Sequence, residues 1–248
     1  MTSAGGDDRS DGAAARGGTT TGQAWGGPGT GEVDAGLRDA VRRFLDAHPD
    51  GVLPLVHAGH PVLRAPAAPY TGQLGDVLPD LLEAMRATML DAPGVGLAAP
   101  QIGIGLALAV IHDAGSAPGA DGADGTDDPR ERTPVPHGTL VNPAYAAASD
   151  ELRSFYEGCL SVPGWHAVRT RHRSVRLTGQ DETGAALDEV LTGWPARIVA
   201  HETDHLRGEL YVDRAEMRSL STDENMGRFW AGTVDPAPVG KILGFSTH

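Results

Sequence analysis

The sequence of 248 residues has one cysteine, few aromatic residues and no long hydrophobic run. One cysteine cannot form a disulfide within the chain, which argues against a disulfide-rich secreted domain. No apolar stretch approaches the roughly 20 residues that a membrane-spanning helix requires. The first residues, MTSAGGDDRSDG, are acidic and polar and lack the apolar segment of a secretory signal peptide. These absences predict a cytoplasmic protein with no membrane partner.

Basic residues are also scarce relative to acidic ones, with 20 Lys and Arg against 33 Asp and Glu and a formal net charge of −13. A groove for nucleic acid needs clustered cations, so no direct nucleic-acid groove is expected. Aromatic residues make up 5% of the sequence and hydrophobic residues 40%, which permits a packed, mainly aliphatic core. The 34 glycines and 18 prolines exceed what one compact fold needs and indicate loops or tails.

Composition divides the chain into four parts. Residues 1–31 are rich in Gly, Ala, Ser, Thr and Asp, and a disordered tail is predicted because they have little apolar surface to bury. Residues 32–51 carry apolar positions at helical spacing and are predicted to form an accessory helix. Residues 52–215 form the predicted main domain, with an acidic surface insertion at 113–132. Residues 216–248 form a C-terminal extension.

The periodicity of apolar residues predicts both helices and strands. Helices are predicted for residues 33–47, 79–90 and 194–206. The last of these has Thr192 as its predicted N-cap, Pro195 in its first turn and Gly208 just past its end. Strands are predicted for residues 105–112, 139–141, 168–179 and 186–191, the last two as a hairpin. Strands with a helix among them indicate an α+β domain.

The strongest chemical signal is the segment HETDH at 201–205, an H-E-x-x-H pattern. On a helix, positions i and i+4 lie on one face about 6 Å apart, so the imidazoles of His201 and His205 can reach one metal ion. Glu202 lies beside the first ligand, where it can hydrogen-bond a water molecule on the metal. This arrangement is typical of metal-assisted hydrolysis. The alternative is a pair of histidines that are four residues apart by chance.

Two histidines leave a third protein ligand to be found. Tyr211 stands where the pattern H-E-x-x-H-x-x-G-x-x-H would need a histidine. Glu224 lies near the distance at which thermolysin-like enzymes have a glutamate ligand, but it belongs to a polar stretch typical of a solvated face. Cys159 lies in the segment EGCLSVPG and is the stronger candidate. A free cysteine is often only a small buried apolar residue, which is the competing interpretation.

A third segment, GVGLAAPQIG at 94–103, is too apolar to bind phosphate and lacks the G-x-G-x-x-G pattern, because Ala99 occupies the last glycine position. A loop of small residues with one polar side chain, Gln101, suits close approach by an extended peptide. It also suits an amide donor aimed at a reacting oxygen. The alternative is a helix terminus with Gln101 in solvent.

Together, GVGLAAPQIG, EGCLSVPG and HETDHLRG resemble the three signature motifs of the peptide deformylases, in the family's order and spacing. The resemblance covers roughly residues 55–212. The third motif of the family usually begins with Gln, where this chain has Ala200, which is not a ligand position. The resemblance implies an α+β fold with antiparallel β-sheets packed around a central metal-binding helix. It also implies a hydrolase that removes the formyl group from the N-terminal formyl-Met of newly made polypeptides and releases formate.

The resemblance implies a role for each residue of the motifs. It implies one ion per chain, Fe²⁺ in the native state with Zn²⁺, Ni²⁺ or Co²⁺ as substitutes, held by Cys159, His201 and His205. Glu202 would carry the proton from water to the leaving amine, and the Gln101 amide with the Leu160 backbone N–H would stabilise the oxyanion. The implied substrate-binding residues are Val95, Gly96, Trp194, Arg197 and Ile198. Asp204 is expected to pair with Arg171.

The implied partners are nascent formyl-Met peptides, with transient association with the ribosome as a further expectation. The segment 232–248 carries one Lys, so its charge does not indicate a basic ribosome contact. Its apolar residues are instead predicted to dock on the domain, namely Val239, Ile242, Leu243 and Phe245. Two alternatives stay open: a thermolysin-like peptidase that uses Glu224, and an inactive metal- or peptide-binding module. The presence of every expected catalytic side chain argues against the second.

Overall fold

A computed structural model describes residues 31–115, 128–230 and 232–248 of the chain. The predicted tail at 1–31 lies outside the described residues except for Gly31, and so do residues 116–127 of the predicted insertion. Among the helices of the described residues, none has the length and apolar character needed to cross a membrane.

The described residues alternate short helices with antiparallel strands, which confirms the predicted α+β class. The helices are α1 (Ala35–Asp46), α2 (Leu78–Asp91), α3 (Trp194–Leu206), the single turn α4 (Asp223–Asn225) and α5 (Ala237–Leu243). A π-helical turn, Met226–Trp230, continues α4. The strands are β1 (Gly96–Ala98), β2 (Leu108–Asp113), β3 (Val135–Ala147), β4 (Leu152–Glu157), β5 (Trp165–His172), β6 (Ser174–Gln180), β7 (Ala186–Thr192) and β8 (Ala215–Thr222).

The strands form two antiparallel sheets. The larger sheet has the order β1-β2-β3-β6-β7 and the smaller one β4-β5-β8. The prediction of one strand over 168–179 is wrong, because the chain bends at Arg173 and passes from β5 in the small sheet to β6 in the large one. Strand β3 is longer than the predicted 139–141, because only its buried centre carries an apolar signal.

Helix α3 lies between the sheets and carries the H-E-x-x-H segment. It packs on β1, β2, β3, β6 and β7 of the large sheet, while arginines of β5 contact it from the small sheet. The predicted N-cap Thr192 is wrong, because this residue ends β7 and its hydroxyl is bonded to Ser174 Oγ at 2.9 Å. Gly193 takes the N-cap position at φ 70°, where a Cβ would lie 2.6 Å from the Glu131 Cβ.

The N-terminal helix α1 packs on α2 and on the turn before it through an apolar face and two ion pairs. Val41 is buried in the main core, with Leu37 and Phe44 packed against it. Arg38 pairs with Asp76 at 2.7 Å, and Arg42 pairs with Asp80 at 2.6 Å. The accessory helix expected from the spacing of apolar residues is therefore attached to the domain.

The C-terminal helix α5 docks only in part as predicted. Val239 is fully buried, and Leu243 and Phe245 are half-buried. Ile242 is 69% exposed, so its predicted docking is wrong. The chain reverses at Gly244, with φ 76°, and returns the Phe245 ring over Gly240.

Candidate active site and metal centre

Three potential metal ligands converge between α3 and the loop that follows β4. Ligand atoms of Cys159, His201 and His205 all lie within 4.8 Å of one another. Cys159 Sγ is 3.2 Å from His205 Nε2, and the two imidazole rings are 5.1 Å apart at an angle of 68°. The i, i+4 spacing on α3 therefore brings both rings to the thiol.

Neighbouring groups orient the two imidazoles. His201 Nδ1 donates to Glu157 Oε2 at 3.0 Å, which leaves Nε2 as the nitrogen that can bind a metal ion. His205 Nε2 faces Cys159, and His205 Nδ1 is buried with no hydrogen-bond partner among the described residues. One thiolate and two imidazoles form a donor set that suits Fe²⁺, Co²⁺, Ni²⁺ or Zn²⁺.

The charges around this centre also suit a cation. Burial lowers the pKa of His201, but its hydrogen bonds to Cys159 and Glu157 outweigh burial and raise the pKa to about 10. The site thus stabilises positive charge. Burial, followed by the charges of His201 and Arg171, holds the pKa of His205 well below its ordinary value. His205 is therefore neutral and ready to bind a metal ion, whereas His201 has to give up its proton when a metal ion binds.

Glu157 is the buried anion that supports His201. Arg171 donates to both of its oxygens, at 2.6 and 3.0 Å, and Arg197 donates to Oε1 at 2.5 Å. Burial alone would raise the pKa of Glu157, but the charges of Arg171 and Arg197 and the His201 hydrogen bond hold it well below the ordinary value. Glu157 was not predicted as a functional residue, although its place two positions before Cys159 in EGCLSVPG was an available signal.

Arg197 was predicted to line the pocket for the substrate side chain, but its guanidinium group is bonded to Glu157 and to two backbone oxygens. Besides Glu157, its guanidinium donates to the backbone oxygens of Arg169, at 2.9 Å, and Arg153, at 2.7 Å. The residue is 5% exposed. Only its uncharged stem is therefore suited to contact an apolar ligand.

Asp204 anchors α3 to the small sheet. Its Oδ2 accepts from Arg171 at 2.8 Å, the pair expected from the family resemblance, and also from Arg169 at 2.8 Å. Tyr145 of β3 donates to Oδ1 at 2.8 Å. Arg169 and Tyr145 were not predicted, because they are distant in sequence and belong to no motif. The cluster fixes the helix from which both histidines project.

Glu202 lies against the backbone of β1. Its Oε2 is buried and has no hydrogen-bond partner in the described part of the chain. A Cβ at Gly96 would lie 2.2 Å from Glu202 Oε1, so only glycine leaves room for this carboxyl group. Burial raises the pKa of Glu202 to about 7. A carboxyl group with such a pKa can both accept and release a proton near neutral pH.

Gln101 is 1% exposed, which excludes the alternative that it lies in solvent. Its Oε1 accepts from the Ala98 backbone N–H at 2.8 Å, and this bond turns its amide nitrogen toward Cys159 Sγ, 3.6 Å away. Leu160 follows Cys159 in the same loop and lines the same cleft. The two predicted oxyanion donors are thus placed beside the candidate metal centre.

The centre lies in a cleft of about 750 Å³. All five predicted substrate-binding residues line it, namely Val95, Gly96, Trp194, Arg197 and Ile198. Several other lining residues were not predicted from the sequence, among them His57, Tyr156, Trp165 and His166. Glu224, the ligand of the thermolysin-like alternative, is exposed in α4 and is not part of the Cys-His-His group.

Comparisons with known proteins agree with this geometry. The profile of the family described as Polypeptide deformylase matches residues 52–221. Peptide deformylase 3 of Streptomyces avermitilis is 52% identical over 220 residues, covering 88% of this chain and 95% of the relative. Peptide deformylase 1 of Bifidobacterium longum is 48% identical over 217 residues, covering 87% of this chain and 97% of the relative.

Solved structures of the same family share the fold. The Met-Ala-Ser-bound crystal structure of a class I type b peptide deformylase from Acinetobacter baumannii has a TM-score of 0.57 and 35% identity, covering 66% of this chain and 98% of that one. The actinonin complex of a peptide deformylase from Synechococcus elongatus has a TM-score of 0.54 and 30% identity, covering 78% of this chain and 87% of that one. With the ligand geometry and the family profile, these relatives place the chain in the peptide deformylase family.

Proposed function

We propose that this chain hydrolyses the N-formyl group of formyl-Met at the N-terminus of new polypeptides and releases formate. The observation that carries the proposal is the convergence of Cys159, His201 and His205 beside Glu202. These three residues would hold one divalent ion, Fe²⁺ in the native protein, with Zn²⁺, Ni²⁺ or Co²⁺ as substitutes. When bound, such an ion acts as a Lewis acid and lowers the pKa of a water molecule toward about 7.

Glu202 would move the proton during the reaction. Its carboxylate takes a proton from the attacking water and later gives it to the nitrogen of the leaving amine. The pKa of about 7 that burial produces supports both transfers. The buried Oε2, which has no partner among the described residues, is the atom suited to this exchange.

Gln101 and Leu160 would stabilise the negative charge that develops on the formyl oxygen. The Gln101 amide donates its N–H, and its orientation is set by the bond from Ala98 N–H to Oε1. The Leu160 backbone N–H supplies the second donor. Each donor of this kind contributes about 10²–10³ in rate when it is aimed at the oxyanion beforehand.

The edge of the large sheet would bind the peptide. Strand β1 pairs with β2 on one side, and Gly96 with its neighbours lines the cleft. An extended peptide can therefore add as a further strand and bond to the backbone near Val95 and Gly96. The methionine side chain would enter the apolar space between Trp194, Ile198 and the stem of Arg197.

The proposed setting is the cytoplasm, with transient association with the ribosome as the source of new chains. The single cysteine, which is free in the structure, supports a reducing compartment. The location in the cytoplasm and the association with the ribosome are inferred from the family and from the composition, not from the geometry of the site.

Release of formate from formyl-Met-Ala by the full-length chain, prepared without oxygen and loaded with Fe²⁺, tests the proposal. We expect many turnovers per chain, none after removal of the metal with a chelator, and a large loss in Glu202→Gln with the metal retained. Acetyl-Met-Ala serves as the matched substrate control and should not react, because its additional methyl group has to fit where the formyl hydrogen lies. A metal-loaded chain that binds the peptide without releasing formate would instead be a binding module.

A further inference from the structure

The described end of the predicted insertion lies against the first turn of α3. This end, here called the insertion base, comprises residues 128–132, which precede β3. A Cβ at Gly193, the N-cap of α3, would lie 2.6 Å from the Glu131 Cβ and 2.9 Å from the Arg130 backbone oxygen. The insertion base is therefore in contact with the backbone at the start of the helix that carries His201 and His205.

Arg173 connects the insertion base to the start of α3. Its guanidinium donates to both carboxylate oxygens of Glu131, at 2.7 and 2.5 Å, and its backbone oxygen accepts from the Gly193 N–H at 2.8 Å. Glu131 has φ 52°, in the left-handed region that residues other than glycine seldom adopt. Such a conformation persists only where the surrounding contacts impose it, and it is frequent at functional sites. The contacts of Glu131 with Arg173 and Gly193 supply that constraint.

A second contact of the insertion base reaches the side chain of Trp194, the first residue of α3. The Arg130 guanidinium carbon lies 5.6 Å from the centre of the Trp194 ring, within the range of a cation–π contact. Arg130 Nε donates to both carboxylate oxygens of Asp128, at 3.0 and 3.1 Å, and the Arg130 backbone N–H donates to one of them at 2.9 Å. Asp128 thus orients the guanidinium that lies against the Trp194 ring.

Trp194 in turn lies on the face of α3 that lines the cleft. Ile198 and His201 follow it by four and seven residues, a spacing that places the three side chains on one face of a helix. All three line the cleft. Arg130 lines a smaller adjoining cavity, of which Trp194 is also a wall, rather than the cleft itself. An effect of Arg130 on a ligand in the cleft therefore has to pass through Trp194.

We propose that Arg130 and Asp128 are positioning residues that hold the Trp194 ring as a wall of the cleft and thereby strengthen binding of the substrate. This inference rests on the proposed function, in which the methionine side chain lies against Trp194. It gives the insertion base a role in substrate affinity, although none of the reacting groups belongs to it.

Steady-state kinetics of Arg130→Gln test the inference, because this substitution removes the cation and keeps a polar side chain. The Fe²⁺-loaded full-length chain is assayed with formyl-Met-Ala-Ser. We expect KM to rise roughly fivefold, the size of effect that a partly buried cation–π contact supports. The value of kcat should change by less than about twofold, because Glu202 and the metal ligands keep their contacts.

A double-mutant cycle shows whether Arg130 acts through Trp194. In a Trp194→Leu chain, the added Arg130→Gln substitution should change KM by less than about twofold, because the ring that the guanidinium contacts is absent. Asp128→Asn is a second variant that leaves both Arg130 and α3 unaltered. It should raise KM in the same direction by a smaller factor, because it weakens the group that orients the guanidinium.

Arg228→Gln is the matched control. The Arg228 guanidinium lies 5.0 Å from the centre of the Phe229 ring, and Phe229 is 57% exposed, so this substitution removes a contact of the same kind at the surface. Neither Arg228 nor Phe229 lines the cleft. The KM of this variant should equal that of the unaltered chain.

Calorimetric binding of the product Met-Ala-Ser gives a readout that does not depend on turnover, and Arg130→Gln should weaken it by the same factor as KM. Turnover by the unaltered chain reports separately on the proposed function. Unchanged KM and product affinity in both Arg130→Gln and Asp128→Asn would overturn the inference. An Arg130→Gln effect that is confined to kcat, or that persists in full in the Trp194→Leu chain, would do so as well.

Discussion

Gly96 and Glu202 are in such close contact that a Cβ atom at position 96 would lie 2.2 Å from Glu202 Oε1. Gly96 belongs to β1 at the edge of the large sheet, and Glu202 belongs to α3. The missing side chain therefore brings the proposed proton carrier next to the backbone on which the peptide is proposed to bind. This contact thus links the proposed proton transfer by Glu202 with the proposed binding of the peptide at β1.

We expect Gly96→Ala to displace the Glu202 carboxyl group and to lower kcat for formate release by roughly 100-fold, because a shift of about 1 Å can have this effect. The matched control is Gly105→Ala, where the added Cβ would meet only Val62 Cγ2 at 3.9 Å, an ordinary contact. Similar activity in both variants would show that the contact between Gly96 and Glu202 is unimportant.

Removal of the charge that supports His201 should weaken metal binding. Glu157→Gln keeps the size of the side chain but loses the carboxylate that accepts from His201 Nδ1. We expect affinity for Zn²⁺ to fall about 10–100-fold, as is usual for such supporting groups. Competition with a chromophoric chelator measures the affinity. Glu224→Gln, at an exposed position, should bind the metal as the unaltered chain does; a loss there instead would favour the thermolysin-like site.

The cluster around Asp204 should contribute strongly to stability. Asp204→Asn leaves Arg169 and Arg171 buried with less compensating charge, and we expect the free energy of unfolding to fall by about 3–5 kcal/mol. Denaturant unfolding of the metal-free chain measures this change. Asp188→Asn disrupts an exposed pair with Arg176 and should have little measurable effect. Equal effects of the two substitutions would mean that burial of the cluster has no energetic importance.

The pair between Asp113 and Arg132 should make stability depend on pH in the acid range. Burial by itself would raise the pKa of Asp113, but the hydrogen bonds from Arg132, at 2.8 Å, hold it below the ordinary value. The stabilisation is therefore present above the unfolded pKa of about 3.9 and is lost as the pH falls through the lower folded pKa. The difference in unfolding free energy between the unaltered chain and Asp113→Asn should shrink over that range. A difference that is constant down to the lower pKa would contradict the assignment.

The sequence predicted the site better than the contacts that support it. His201 and His205 are four residues apart on one helix, so local geometry alone brings them together. Glu157, Arg169 and Tyr145 act through partners 35–59 residues away, and no local pattern encodes such contacts. For the same reason, the sequence predicted that Arg197 lies on α3 but not that its guanidinium group donates to Glu157.

The predicted boundaries of strands and helices were wrong where the local sequence does not mark a change in the direction of the chain. No Pro or Gly interrupts the chain from Val168 to Thr178, yet the chain leaves the small sheet at Arg173. Thr192 has the usual chemistry of an N-cap, but a residue with positive φ is needed one position later, and Gly193 fills it. Tertiary packing, rather than the local sequence, determines where the strand ends and where α3 begins.

Absorption of the Co²⁺-loaded chain, together with its metal content, tests the central claim that one thiolate and two imidazoles hold the ion. We predict one Co²⁺ per chain and a thiolate-to-metal charge-transfer band that disappears in Cys159→Ser, with metal retention also lost in His205→Ala. A Cys159→Ser chain that keeps both its full Co²⁺ content and an unchanged spectrum would contradict the claim.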